Sequence, residues 1–211
     1  MMKTVMCYGD SNTWGQRSDA EERYDYDVRW TGRLQKLLGD DYRIIEQGIN
    51  GRTTAYDLPL EDYRNGWKAL PMVLSCVDPI DLVVIMLGTN DRRTQLCVSP
   101  QESAIALERY IHMIRTPPMW FGHQVPKILL VAPPEIDSGV TDTEFGFYYD
   151  QKSVDDSKKL KDAYSALAKK YDCDFLDVAP FTKTGVDCVH LDAESHAAMA
   201  EKMAEKIRSI F

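Results

Sequence analysis

The chain has no cluster of lysines and arginines. Its 25 basic residues are outnumbered by 33 acidic ones, which gives a net charge of −8. So acidic a chain repels nucleic acid and anionic lipid, so non-specific binding to either is excluded. Long apolar runs are also missing. The stretches Leu82 to Leu87 and Ile128 to Ala132 fall far short of the ~20 residues that cross a bilayer. The amino-terminal segment lacks the apolar stretch and small-residue cleavage site of a signal peptide. The five cysteines, Cys7, Cys76, Cys97, Cys173 and Cys188, are odd in number and form no CxxC pair. Scattered thiols suit a reducing compartment better than a disulfide framework or a zinc site. The expectation is a cytoplasmic protein with reduced cysteines.

The chain has 211 residues, a length expected to fold as a single domain over 1–211. A chain of this size buries enough surface to fold without a disulfide or a metal. Short apolar runs alternate with amphipathic stretches. Strands are expected at Thr4–Tyr8, Arg43–Glu46, Asp81–Leu87, Lys127–Ala132 and Asp174–Asp177. The third reads LVVIML, the pattern of a strand buried on both faces. Helices are expected at Arg29–Leu38, Trp67–Val77, Ser99 to about Arg115, Asp155–Tyr171 and from Asp192 to about Ser209. In the first, Trp30, Leu34, Leu37 and Leu38 share a face, and Gly39 can end the helix in a left-handed conformation. In the third, Ser99, Pro100 and Glu102 make a capping box with proline at the first helical position. In the last, Ala200, Met203 and Ile207 face inward. Pro117–Pro126 and Pro133–Lys152 read as irregular, the second carrying the aromatics Phe145, Phe147, Tyr148 and Tyr149. Such alternation implies an α/β fold, a parallel sheet with helices on both faces. Ligands then bind at the carboxyl ends of the strands.

Four segments fall at those ends. Gly9-Asp10-Ser11-Asn12 places a serine where strand turns to helix, and the N–H groups there can bind an anion. Gly48-Ile49-Asn50-Gly51 lets backbone approach a ligand closely. Gly88-Thr89-Asn90-Asp91 can aim an amide donor at a carbonyl oxygen that gains negative charge. Asp187-Cys188-Val189-His190 offers a carboxylate to orient an imidazole and an imidazole to activate a serine hydroxyl. Each segment alone reads more readily as a turn or cap. Together they supply every part of one acyl-transfer reaction.

These strings resemble the four blocks of the SGNH (GDSL-type) hydrolases. The resemblance runs from Val5 to the final helix and is nearer to the bacterial arylesterase/acyltransferase branch. CYGDSNTWG (Cys7–Gly15), DVRWTGRL (Asp27–Leu34), NGRTT (Asn50–Thr54) and VVIMLGTND (Val83–Asp91) carry it. It implies a flavodoxin-like three-layer α/β/α sandwich around a five-stranded parallel sheet. It implies Ser11 as nucleophile, His190 as base and Asp187 as its orienting acid. The oxyanion hole is implied to be the N–H of Ser11, the N–H of Gly51 and the side chain of Asn90. Neither a metal nor an organic cofactor is implied. The partners implied are a small ester, water or an alcohol acceptor, and further copies of the chain, as in octameric relatives. The block reads GDSN where GDSL is common, and DCVH puts Cys188 where glycine is frequent.

Trp14 and Asp10 are candidates for the substrate pocket, with Asp10 also expected to support the serine turn. Arg92 and Arg93 suit substrate contact or solvation equally. His196 is expected to be a surface or packing residue, His112 and His123 to lack an acidic partner, and Glu21-Glu22 to form a solvated turn. The leading expectation is a serine esterase for small, short-acyl esters. A second is a carbohydrate deacetylase with Trp67 or Tyr148 at the cleft. A third is a non-catalytic module that uses Gly9–Asn12 as an anion cradle.

Overall fold

A computed structural model describes residues 2–116 and 123–211. Five strands, β1 (Lys3–Gly9), β2 (Tyr42–Gly48), β3 (Leu82–Met86), β4 (Lys127–Ala132) and β5 (Asp174–Asp177), form one sheet. All pair in parallel, in the order β2-β1-β3-β4-β5. The chain therefore crosses over once, between β2 and β3, so β1 sits inside the sheet with its carboxyl end at the point where the winding reverses. That is where doubly wound sheets open a crevice.

Alternation along the strands divides the core in two. Met6, Tyr8, Val83, Ile85, Leu130 and Ala132 face one side. There they meet α3 (Gly66–Val77), α4 (Pro100–Ile114) and α6 (Leu160–Lys170). Val5, Cys7, Val84, Met86, Leu129 and Val131 face the other. They meet α2 (Trp30–Leu38) and α7 (Ala193–Ile210). A one-residue shift would exchange the two faces, so this period-2 pattern fixes the register. The expected capping box at Ser99 and Glu102 is present. Asp192 caps α7, and Ala200, Met203 and Ile207 are buried. All five cysteines are free. No described helix is long and apolar enough to cross a membrane.

Three expectations need correction. Leu37 is 42% exposed, because α7 packs on the Trp30, Leu34 and Leu38 side of α2. Gly39 ends that helix with φ 68° but an extended ψ of −159°, not a left-handed helical one. The helix expected over 155–171 is two helices, α5 (Gln151–Ser157) and α6. Asp150 starts the first with its own capping box. Ser157 then accepts from Ile136 N–H at 3.1 Å and donates to Val154 O at 2.7 Å, a local side-chain bond that competes with helix continuation. The irregular stretch expected at 117–126 lies mostly outside the described residues.

Candidate active site

The serine turn follows directly from β1. Asp10 caps the single turn α1 (Ser11–Trp14) by accepting from Asn12 N–H at 3.0 Å. This leaves Ser11 at the strand end. It is 5% exposed. Gly48, at the end of the neighbouring β2, must be glycine, because a Cβ there would lie 2.2 Å from the Trp14 nitrogen.

The Asp187–His190 loop reaches this turn from the far end of the chain. His190 Nε2 lies 2.9 Å from Ser11 Oγ, and His190 Nδ1 lies 2.6 Å from Asp187 Oδ2. The other Asp187 oxygen accepts from Val189 N–H at 2.9 Å and His190 N–H at 2.8 Å. Both carboxylate oxygens are thus occupied, so the acid cannot rotate away from the ring. Cys188 adopts φ 65° between them, which explains how a non-glycine chain still turns tightly enough here. The Phe145 ring meets the imidazole edge-on, with centroids 5.3 Å apart.

Gly51 takes φ 74°, a backbone conformation that glycine adopts freely, and lines the cleft beside Ser11. Asn90 lines it as well. Its amide nitrogen gives one hydrogen to Arg52 O at 3.1 Å, which fixes the amide plane and leaves its second N–H to serve the cleft. Because the Arg52 carbonyl can only accept, that bond settles which end of the amide carries the nitrogen, and Tyr149 OH lies 3.4 Å from Asn90 Oδ1 at the other end. Burial pushes the Tyr149 phenol up to about 12, so it stays a donor.

Trp14 lines the cleft, with the Arg23 guanidinium over its ring. Asp10 does not: it is 1% exposed beneath the turn and absent from the cleft wall. Burial drives its carboxyl up to about 6, against the Asn12 N–H that favours the anion. Arg92 and Arg93 are both buried, so solvation is not their role. Arg92 bonds Ser103 Oγ and Ser99 O. Arg93 faces the cleft and pairs with Glu61. Glu21 and Glu22 are exposed, though Glu21 also borders the cleft. His196 is a packing residue: fully buried, it accepts from Trp30 N–H at 3.2 Å. His123 does find an acid, since Asp78 Oδ2 lies 2.7 Å from its Nδ1, a contact made through space that sequence spacing cannot show. Trp67 is not at the cleft. It packs on Tyr110 and under Arg109, between α3 and α4.

Three buried groups escaped the sequence reading of the site. Asn12 is the most telling. Its side chain donates to Val189 O at 3.3 Å and accepts from Leu191 N–H at 2.9 Å, so it grips the backbone on both sides of His190. Its own carbonyl accepts from Trp30 Nε1 at 3.0 Å. Arg52 bonds the carbonyls of Gly9 at 2.8 Å and of Gln47, and stacks on Tyr8 at 4.0 Å. It thereby ties together the ends of β1 and β2. Asp91 accepts from Thr54 N–H at 2.8 Å and from the hydroxyls of Thr54 and Ser103, both at 2.6 Å. It joins the Gly51 loop to the Asn90 loop. The departure from GDSL to GDSN was the visible signal for Asn12, and the NGRTT string was the signal for Arg52.

A flavodoxin-like sheet with a serine turn, an amide and a DxxH loop at its carboxyl edge is the architecture of an SGNH-type hydrolase. The sequence agrees: the GDSL-like lipase/acylhydrolase family matches residues 7–198, and the chain belongs to it. The chain is 35% identical to a carbohydrate acetylesterase from Sinorhizobium meliloti, with 99% and 100% of the two chains covered and a TM-score of 0.90. It is 33% identical to an aryl esterase from M. smegmatis, with the same coverage and a TM-score of 0.92. Over 115 residues it is 33% identical to an acetylxylan esterase of Xylanibacter ruminicola, a match that covers 53% of this chain and 22% of that protein.

Proposed function

We propose that the protein is a serine esterase that cleaves short-acyl carboxylic esters through an acyl-enzyme on Ser11. The single observation that carries this is the unbroken line of hydrogen bonds from Ser11 through His190 to Asp187. Asp187 is bonded by two backbone donors on one oxygen, so its other oxygen accepts from Nδ1–H of His190. That fixes the tautomer and leaves Nε2 free to take the Ser11 proton. Ser11 Oγ then bonds to the ester carbon, and the carbonyl oxygen becomes an anion. In this reading the N–H groups of Ser11 and Gly51 and the Asn90 amide receive that charge. As the tetrahedral species collapses, the ester C–O bond breaks and His190 gives its proton to the departing alcohol. Water, or a second alcohol, then attacks the acyl-enzyme with His190 again as base. A non-catalytic anion cradle would have no use for this relay.

Beyond His190 the cleft opens into a groove of about 810 Å³. Phe145, Phe147 and Tyr148 line it together with Gln16, Ser18, Asp19 and Glu21. Aromatic rings among hydrogen-bonding groups suit a sugar, which favours a carbohydrate deacetylase as the second reading. The named activities of the Sinorhizobium and Xylanibacter relatives support it. The 133–152 segment is our candidate for a contact between copies of the chain. It exposes Phe147 at 87%, while its Ile136, Val140 and Tyr149 fill a small core of their own.

Hydrolysis of p-nitrophenyl acetate by wild type and by Ser11→Ala tests the assignment. The variant is expected to be inactive, and full activity in it would remove Ser11 as nucleophile. A panel of O-acetylated sugars alongside simple alkyl acetates separates the two substrate readings.

A further inference from the structure

The cleft has two lobes that share Gln16, Glu21, Phe145 and His190. His190 must stand beside the oxygen that leaves with the alcohol, so the alcohol side of an ester occupies the large groove beyond it. The acyl side then stays with Ser11, in a lobe of about 360 Å³ lined by Asn50, Gly51, Asn90, Glu61, Arg64 and Arg93. This assignment rests on the esterase reading above.

Part of the lining of that lobe is charged. Glu61 Oε1 pairs with the Arg93 guanidinium, and Glu61 Oε2 lies 3.4 Å from Arg64 Nε. The Glu61–Arg64 contact crowds the Gly51 loop: a Cβ on Gly51 would sit 3.0 Å from Glu61 Oε2 and 3.2 Å from Arg64 Nε. Arg93 is held from behind, with its guanidinium 4.9 Å from the centre of the Tyr148 ring. Its side chain is 10% exposed, and its buried Nε has no hydrogen-bond partner among the described residues. The arginine is thus wedged in place and faces the lobe without being solvated.

We infer that the Glu61–Arg93 pair is the end wall of the acyl lobe and sets the acyl length this protein accepts. An apolar chain that grows toward the wall gains nothing. Its methylenes would press on a carboxylate and a guanidinium, whose desolvation is unfavourable, instead of entering an apolar pocket. A two-carbon acyl group stops short of the pair. A six-carbon one must displace it.

The test is kcat/KM for p-nitrophenyl acetate, butyrate and hexanoate with wild type, Glu61→Ala and Arg93→Leu. The hexanoate-to-acetate ratio is the readout, because a residue with only a structural role lowers all three rates together. Wild type is expected to fall steeply from acetate to hexanoate. Each buried methylene is worth about fourfold in binding, so two methylenes that enter the space vacated in a variant should raise the ratio by roughly 15-fold. The two variants open the wall from opposite partners, so a folding defect in one leaves the other informative. Ratios within twofold of wild type in both would overturn the end wall while leaving the esterase reading intact. Failure of wild type to hydrolyse any of the three esters would overturn that reading and the wall with it.

Discussion

Replacing Asn12 by leucine restores the commoner GDSL string, and it should damage this protein. The Asn12 carboxamide is buried and uses both its donor and its acceptor on the loop that carries His190. Leucine is close in size but can do neither. Two hydrogen bonds disappear, and the Val189 carbonyl and Leu191 N–H lose their partners in a dry site. Stranded polar groups of this kind cost about 1–3 kcal/mol each, so the total loss should be about 2–6 kcal/mol. For a chain of this length that corresponds to a Tm lower by about 5–20 °C. Activity should fall further than stability explains. Once released, the loop can let His190 drift, and a misplacement of ~1 Å at a reacting centre costs about 10²-fold in rate. Asn12→Asp separates the two bonds, since a carboxylate still accepts from Leu191 N–H but cannot donate to Val189 O. Thermal unfolding and kcat on p-nitrophenyl acetate, measured well below the Tm, are the assays. An Asn12→Leu protein with wild-type kcat and an unmoved Tm would refute the argument that Asn12 positions the base.

Asn90→Ala should lower kcat by about 10²–10³ with little change in KM, because the amide is called on only as the oxyanion forms; unchanged steady-state kinetics would remove it from the hole. Burial pulls His196 down to about 4 from 6.5. The unfolded chain therefore binds more protons across that interval, and stability should fall by about 3 kcal/mol as pH drops from 6.5 to 4. His196→Gln should flatten that part of the urea-unfolding profile. Asp10 works in the opposite sense: with its folded value raised from 3.8 to about 6, its contribution is present in acid and lost as pH rises through 6. Asp10→Asn should accordingly steepen the acid loss between pH 6 and 4. Cys188→Gly should raise the Tm by a few degrees, since glycine adopts φ 65° without the roughly 1 kcal/mol strain of a side chain; a fall in Tm would show that the thiol packs to more effect than its backbone strains.

What the sequence could and could not reveal follows from the range of the forces involved. The buried run of β3 and the Ser99 capping box are local patterns, and both are where they were expected. Each of the four blocks is likewise a string within one loop, so Ser11, Gly51, Asn90, Asp187 and His190 could be named before they were seen together. Most of the failures concern contacts between segments. The break between α5 and α6 is made by Ser157 reaching Ile136, and His123 meets Asp78 across 45 positions. Trp67 had a composition suited to sugar binding but was taken by Tyr110 and Arg109. Glu61 and Arg64 lie in a stretch with no motif, and only the fold brings them over Gly51.

The hydrogen bond between His190 and Ser11 joins residues 179 positions apart, which sets a schedule for the living chain. A ribosome adding ~5–20 residues per second makes Ser11 first and His190 on the order of 10–40 seconds later. Throughout that interval the emerging polypeptide carries an ordinary hydroxyl with no more reactivity than any other. Asn12 cannot close on its loop until the same late segment arrives. On the esterase reading, ester cleavage thus waits for the last segment of the chain, and an unfinished chain lacks it.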